Sequence, residues 1–233
     1  MGHILNAKDE LYHALAERLS RTPEGAPINE ALMQILHRLY TEGEALVGSK
    51  LPLVPMPLEK IVTLTGIQEE ELKTLLDGMS DKGLVIDIPR KNTVYYMLTP
   101  MVVGFFEYTF MRTGDQVNLK ELAELFDSYF HSEGVRSEIA GMDTKIMRTL
   151  VYESVIPVAV ETEVLNYERA TEIIKEAGGG AISLCACRHE AAHLGTACDA
   201  PVEVCTSLGP AAEWIIRKGL GRPVLLLLVY NLR

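Results

Sequence analysis

The residues best suited to chemistry lie late in the chain. All four cysteines, Cys185, Cys187, Cys198 and Cys205, fall between positions 185 and 205. The pattern is Cys-x-Cys, ten residues, Cys, six residues, Cys. A secreted disulfide framework spreads its cysteines to close several loops, whereas clustering of this kind points to a metal or redox site. Four thiolates suit either one tetrahedral zinc or one iron–sulfur cluster. Structural zinc sites more often use Cys-x-x-Cys knuckles, so the Cys-x-Cys start and long spacings lean towards a cluster. Arg188, next to Cys187, is placed to give a charge-assisted contact that tunes such a centre. Pro201, three residues after Cys198, turns the chain back without an N–H to satisfy.

A second motif overlaps the first. His189-Glu190-Ala191-Ala192-His193 matches H-E-x-x-H, the helix signature of zinc hydrolases. On a helix the two imidazoles share a face and Glu190 stands as general base, with Asp199 ten residues after His189 as a third donor. That motif needs a helix, and the preceding segment reads as a strand over Ala181–Cys187. The glycine at 195 is also not where a metzincin turn requires one. The zinc alternative therefore rests on His189 and His193 and on whether Leu184–His193 is helical.

The elements that must position these groups are legible from periodicity. Asp9–Ser20 has Leu11, Leu15 and Leu19 four apart, a helix broken by the Pro- and Gly-rich stretch 22–27. Asn29 caps a second helix with Leu32, Ile35, Leu36 and Leu39 on one face. Residues 57–99 read as one module: a helix over Leu58–Leu64, a turn at Thr65-Gly66, and a helix over Gln68–Lys82 stopped by Gly83. Strands Leu84–Ile88 and Thr93–Leu98 complete it. Helix, turn, helix, hairpin is the order of a winged helix-turn-helix. Pro100–Arg112 is apolar nearly all round and reads as a buried helix; residues 118–131 form another. Further on, Val155–Val160 reads as a strand, Tyr167–Ala177 as a helix ended by Gly178-Gly179-Gly180, and Leu208–Lys218 as a helix. The uncharged, β-prone segment Val224–Tyr230 must be covered, by pairing with Ala181–Cys187 or Val155–Val160 or in a homodimer.

Charge narrows the partners. The 233 residues carry 22 Lys+Arg against 32 Asp+Glu, a net of −10. Neither half has the basic surplus that drives phosphate binding. The would-be recognition helix opens with Glu69, Glu70 and Glu71, which suit a helix N-terminus but repel the DNA backbone. Only Arg90 and Lys91 at the hairpin tip favour DNA, so DNA is not expected as a partner. No apolar run approaches the ~20 residues that span a bilayer. The first residues are not a basic segment followed by an apolar one, so no membrane is expected and a cytoplasmic protein is.

The block Cys185-Ala186-Cys187-Arg188-His189, followed by Leu194-Gly195-Thr196-Ala197-Cys198-Asp199-Ala200-Pro201-Val202-Glu203-Val204-Cys205, resembles a family of ferredoxin-like [4Fe–4S] proteins with an N-terminal winged-helix-like region. Ala211-Ala212-Glu213 and Gly219-Leu220-Gly221-Arg222 also resemble it. The likeness is specific over about residues 182–222 and looser over 57–130. It implies a [4Fe–4S] cluster held by Cys185, Cys187, Cys198 and Cys205, electron transfer to a redox partner protein, and His189 and Glu190 as part of the cluster block. It also implies a second cysteine-dense segment after Gly221-Arg222, where this sequence has Pro223–Tyr230.

The sequence thus predicts an α+β protein. Residues 1–115 form a helical and winged helix-turn-helix-like domain, 116–152 a helical connector, and 153–233 a small α/β cysteine-containing iron–sulfur domain. The leading function is electron transfer through one cluster on four thiolates that converge. The alternatives are a winged-helix regulator sensing redox state or metal, and a zinc hydrolase.

Overall fold

The structure, a computed structural model, describes residues 2–22, 25–91, 93–113, 117–141 and 167–224. It is an α+β fold of helices and two small antiparallel sheets. Contacts divide the chain into two compact units: Met1–Gly141 with Leu184–Val202, and Met142–Ser183 with Glu203–Arg233. The expected strand at Val155–Val160 and the connector beyond residue 141 lie outside the described residues, as do Asn92 and residues 225–233.

In the first unit, α1 (Gly2–Leu19), α2 (Glu30–Leu39) and α3 (Glu42–Lys50) pack together. Asn29 caps α2 by accepting the Leu32 N–H at 2.9 Å, and Leu32, Ile35, Leu36 and Leu39 are buried as the periodicity predicts. Helix α3 escapes sequence periodicity because its buried residues include Gly48 and Glu44. The Glu44 carboxylate closes a capping box on Thr41 and meets the Lys82 ammonium at 2.7 Å.

A three-stranded sheet follows, β1 (Met56–Pro57), β2 (Val85–Arg90) and β3 (Thr93–Leu98), in the order β1-β3-β2. Between β1 and β2 run α4 (Leu58–Thr65) and α5 (Glu69–Asp81), joined through Gly66 in the left-handed conformation. The predicted order of helix, turn, helix and hairpin is therefore present. After α5, Gly83 has φ +79°, and a Cβ there would lie 2.5 Å from the Tyr108 Cβ. Both the backbone angle and the close approach require glycine.

The predicted continuous helix over Pro100–Arg112 does not form. Val102, Val103 and Gly104 have non-helical backbone angles, and regular helix resumes only as the short α6 (Phe106–Phe110). Two adjacent β-branched residues followed by glycine are poor helix formers, and packing decides the path instead. The expected burial holds except at Val103, which is 56% exposed. The Glu107 carboxylate accepts the Gly104 N–H at 2.6 Å and holds the irregular segment against α6. Helix α7 (Leu119–His131), capped by Asn118, supplies Phe126 to a ring cluster with Phe105, Phe106, Phe110 and Phe130. Helix α8 is Glu133–Gly141.

The second unit contains α9 (Tyr167–Glu176), β4 (Gly180–Ser183), β5 (Cys205–Leu208), α11 (Gly209–Arg217) and β6 (Gly221–Val224). The sheet order is β5-β4-β6. Helix α11 buries Ala212, Trp214 and Ile215 and packs on this sheet. Gly221 is needed by close approach: a Cβ there would meet the Ile182 carbonyl oxygen at 2.8 Å and Ile215 at 2.9 Å. Val224 pairs with Gly180 at the start of β4, and the rest of the apolar segment Val224–Tyr230 lies outside the described residues.

Among the described residues, no helix is long and apolar enough to cross a membrane.

Candidate metal centre

The cysteine segment begins with a departure from the sequence reading. The strand predicted over Ala181–Cys187 stops at Ser183, and α10 (Ala186–Leu194) begins at Ala186. In the second unit β4 is paired on both sides, and Ser183 is its last residue opposite Cys205 and Gly221. Beyond it no ladder pair continues among the described residues. The following Ala-Cys-Arg-His-Glu-Ala-Ala-His-Leu contains several good helix formers and no proline or glycine. Gly195, at φ +74°, ends the helix.

Helix α10 belongs to the first unit, where it packs against α6 and α7. Ala186 is buried in the main core and Leu194 packs against it. Cys185 is the N-cap residue and Cys187 lies in the first turn. The loop after Gly195 returns to this end of the helix. The Cys185 N–H donates to the Val202 carbonyl at 2.7 Å, and the Arg188 guanidinium donates to the Pro201 carbonyl at 3.1 Å. The predicted reversal around Pro201 is thus held by two hydrogen bonds.

The same fold-back gives Cys198 its surroundings. The Ala200 N–H and then the Arg188 side chain, both hydrogen-bonded to the sulfur, hold its thiol below the ordinary range. Cys187 is shifted the other way. Partial burial pushes its thiol up, with the charges of Cys185, Glu107 and Glu190 adding to the effect. Cys187 and Cys198 are exposed, Cys185 is half-buried, and these three are free thiols. Cys205 opens β5 in the second unit, where the Ser183 hydroxyl donates to its carbonyl at 3.3 Å.

The expected convergence is a stricter condition than sharing one loop. Cys185, Cys187 and Cys198 lie in the first unit, in the helix start and the loop that folds back to it. Among the described residues, no three or more His, Cys, Asp or Glu side chains are close enough together to hold a metal ion. The donor types and the cationic, N–H-rich surroundings of Cys198 fit a thiolate-bound group.

The imidazoles of the overlapping motif are adjacent. His189 and His193, one turn apart on α10, have ring centroids 4.9 Å apart. The His189 Nδ1 lies 2.7 Å from the Phe110 carbonyl oxygen. A carbonyl only accepts, so Nδ1 carries a proton, and in the neutral ring the lone pair is on Nε2. The His193 Nε2 is shielded from solvent and has no hydrogen-bond partner among the described residues. Partial burial and then the neighbouring His189 lower the His193 pKa. Glu190 faces α7 instead. Burial, with the charge of Asp127 next, raises its carboxyl to about 7, and His131 opposes the shift.

Sequence reasoning missed two participants, the Phe110 carbonyl and Glu107. Both act on α10 from residues about 80 positions earlier, and no local spacing announces them.

On α5, Glu69, Glu70 and Glu71 are exposed in the first turn. Arg90 lies 5.5 Å above the Tyr95 ring and, with Lys91, is exposed at the hairpin tip.

Compared with known proteins, the chain matches no family model, no curated protein and no solved structure.

Proposed function

We propose that this chain is an iron–sulfur protein that binds one cluster through Cys185, Cys187, Cys198 and Cys205 and passes single electrons to a redox partner protein. The observation that carries the reading is the fold-back of the loop after Gly195. It sets Cys198 beside Arg188, one residue from Cys187, and is tied to Cys185 through the Val202 carbonyl. The fourth ligand, Cys205, comes from the sequence pattern. A bound cluster supplies the one-electron chemistry.

The chain's own residues prepare the thiolates. The Ala200 N–H and Arg188 favour the deprotonated Cys198 sulfur. Cys187, with its thiol pushed up, must give up a proton on ligation, and the polar start of α10 favours the resulting negative charge. Arg188 also holds the return loop in place through Pro201.

Anaerobic purification followed by a visible spectrum and iron, sulfide and zinc analysis tests the reading. The expected result is iron with matching sulfide, lost in large part in Cys198→Ser and Cys205→Ser and reduced in Arg188→Ala. Zinc without iron, or full iron retention in both cysteine variants, overturns it.

A further inference from the structure

Beyond the thiolate reading and independently of it, we propose that His189 and His193 form a binding site for a divalent cation of the zinc class on the face of α10. Two histidines four apart on a helix offer two nitrogen donors from one rigid element, with water completing the coordination. The structure supplies three features that an incidental pair need not have. The rings are neighbours, with centroids 4.9 Å apart. The Phe110 carbonyl at 2.7 Å fixes the proton of His189 on Nδ1, directing its lone pair to Nε2, the usual arrangement of a ligating histidine. The His193 Nε2 is shielded from water and has no hydrogen-bond partner among the described residues, and an ion or water is one explanation of a shielded polar nitrogen of this kind.

The site differs from that of a zinc hydrolase. Glu190 sits on the side of the helix facing α7, where Asp127 and His131 act on it. Among the described residues no third His, Cys, Asp or Glu completes a ligand group. The inference is cation binding by two imidazoles, not peptide hydrolysis.

The test is a titration of the full chain with zinc chloride, followed on the imidazole nitrogens by long-range proton–nitrogen correlation spectra. The expected result is a joint shift of the His189 and His193 Nε2 signals that saturates. Cys198→Ser should leave this response in place, and His193→Asn should abolish the shift at His189. On equilibrium dialysis His193→Asn should retain one zinc fewer than the parent. Imidazole signals that stay still while zinc is taken up elsewhere overturn the proposal. So does a response lost in Cys198→Ser but kept in His193→Asn. If either variant fails to fold, the imidazole spectrum of the parent chain decides alone.

Discussion

Arg188 shows how one side chain can serve two purposes at the residue scale. Its guanidinium donates to the Pro201 carbonyl and also contacts the Cys198 sulfur, so loop shape and thiol electrostatics depend on one planar cation. Glu107 is the corresponding anionic case. Its buried carboxyl accepts the Gly104 N–H at 2.6 Å, yet burial outweighs that bond and raises its pKa above the ordinary 4.5. The folded state therefore holds the proton more tightly than the unfolded state. The contribution of this carboxyl to stability is fully present below the ordinary value and is lost as pH rises through the raised folded value. Urea unfolding of the parent and of Glu107→Gln across that window should show the decline in the parent and a flatter profile in the variant. Parallel profiles would mean that the carboxyl is not desolvated.

At the scale of elements, the core of the first unit turns on α7. Phe126 is fully buried and its ring lies 5.0 Å from Phe106, 5.9 Å from Phe110 and 6.3 Å from Phe105, centroid to centroid. Phe126→Ala should destabilise the protein by about 3–5 kcal/mol, as large-to-small changes at buried aromatics do. Denaturant unfolding would measure it, and a loss below about 1 kcal/mol would mean that the cluster collapses into the space. Helix α5 carries a different prediction. Its exposed Glu69–Glu71 face repels phosphate while Arg90 and Lys91 attract it. DNA association should be weak and should vanish at physiological salt in a mobility-shift assay. A tight, sequence-dependent shift that survives such salt would reverse this reading of the helix.

At the scale of the molecule, the division into two units runs through the cysteine segment, with Leu184–Val202 in the first and Glu203 onwards in the second. In the second unit β4 is central because β5 and β6 cover its two edges. Removing residues 221–233 would uncover one edge and leave its backbone groups unpaired. The shortened chain should aggregate more readily and melt at a lower temperature than the parent, as light scattering and calorimetry would show. Equal solubility and melting would mean that β6 contributes little to the sheet.

What the sequence determined by itself is the part governed by local spacing. The Asn29 cap and the apolar face of α2, the turn at Gly66, the stop at Gly83 and strand β3 depend on residues within a few positions of one another, and these appear where predicted. The reversal after Gly195 was legible for the same reason, from a proline close to the cysteines. Only the tertiary structure decided the rest. Helix α10 replaced a predicted strand because sheet pairing stops at Ser183. The irregular path at Val102–Gly104 follows packing rather than periodicity. The tautomer of His189 depends on Phe110, 79 residues away in the chain. These outcomes arise from burial and from partners distant in sequence. Neither burial nor a distant partner leaves a period or a motif in the neighbouring residues.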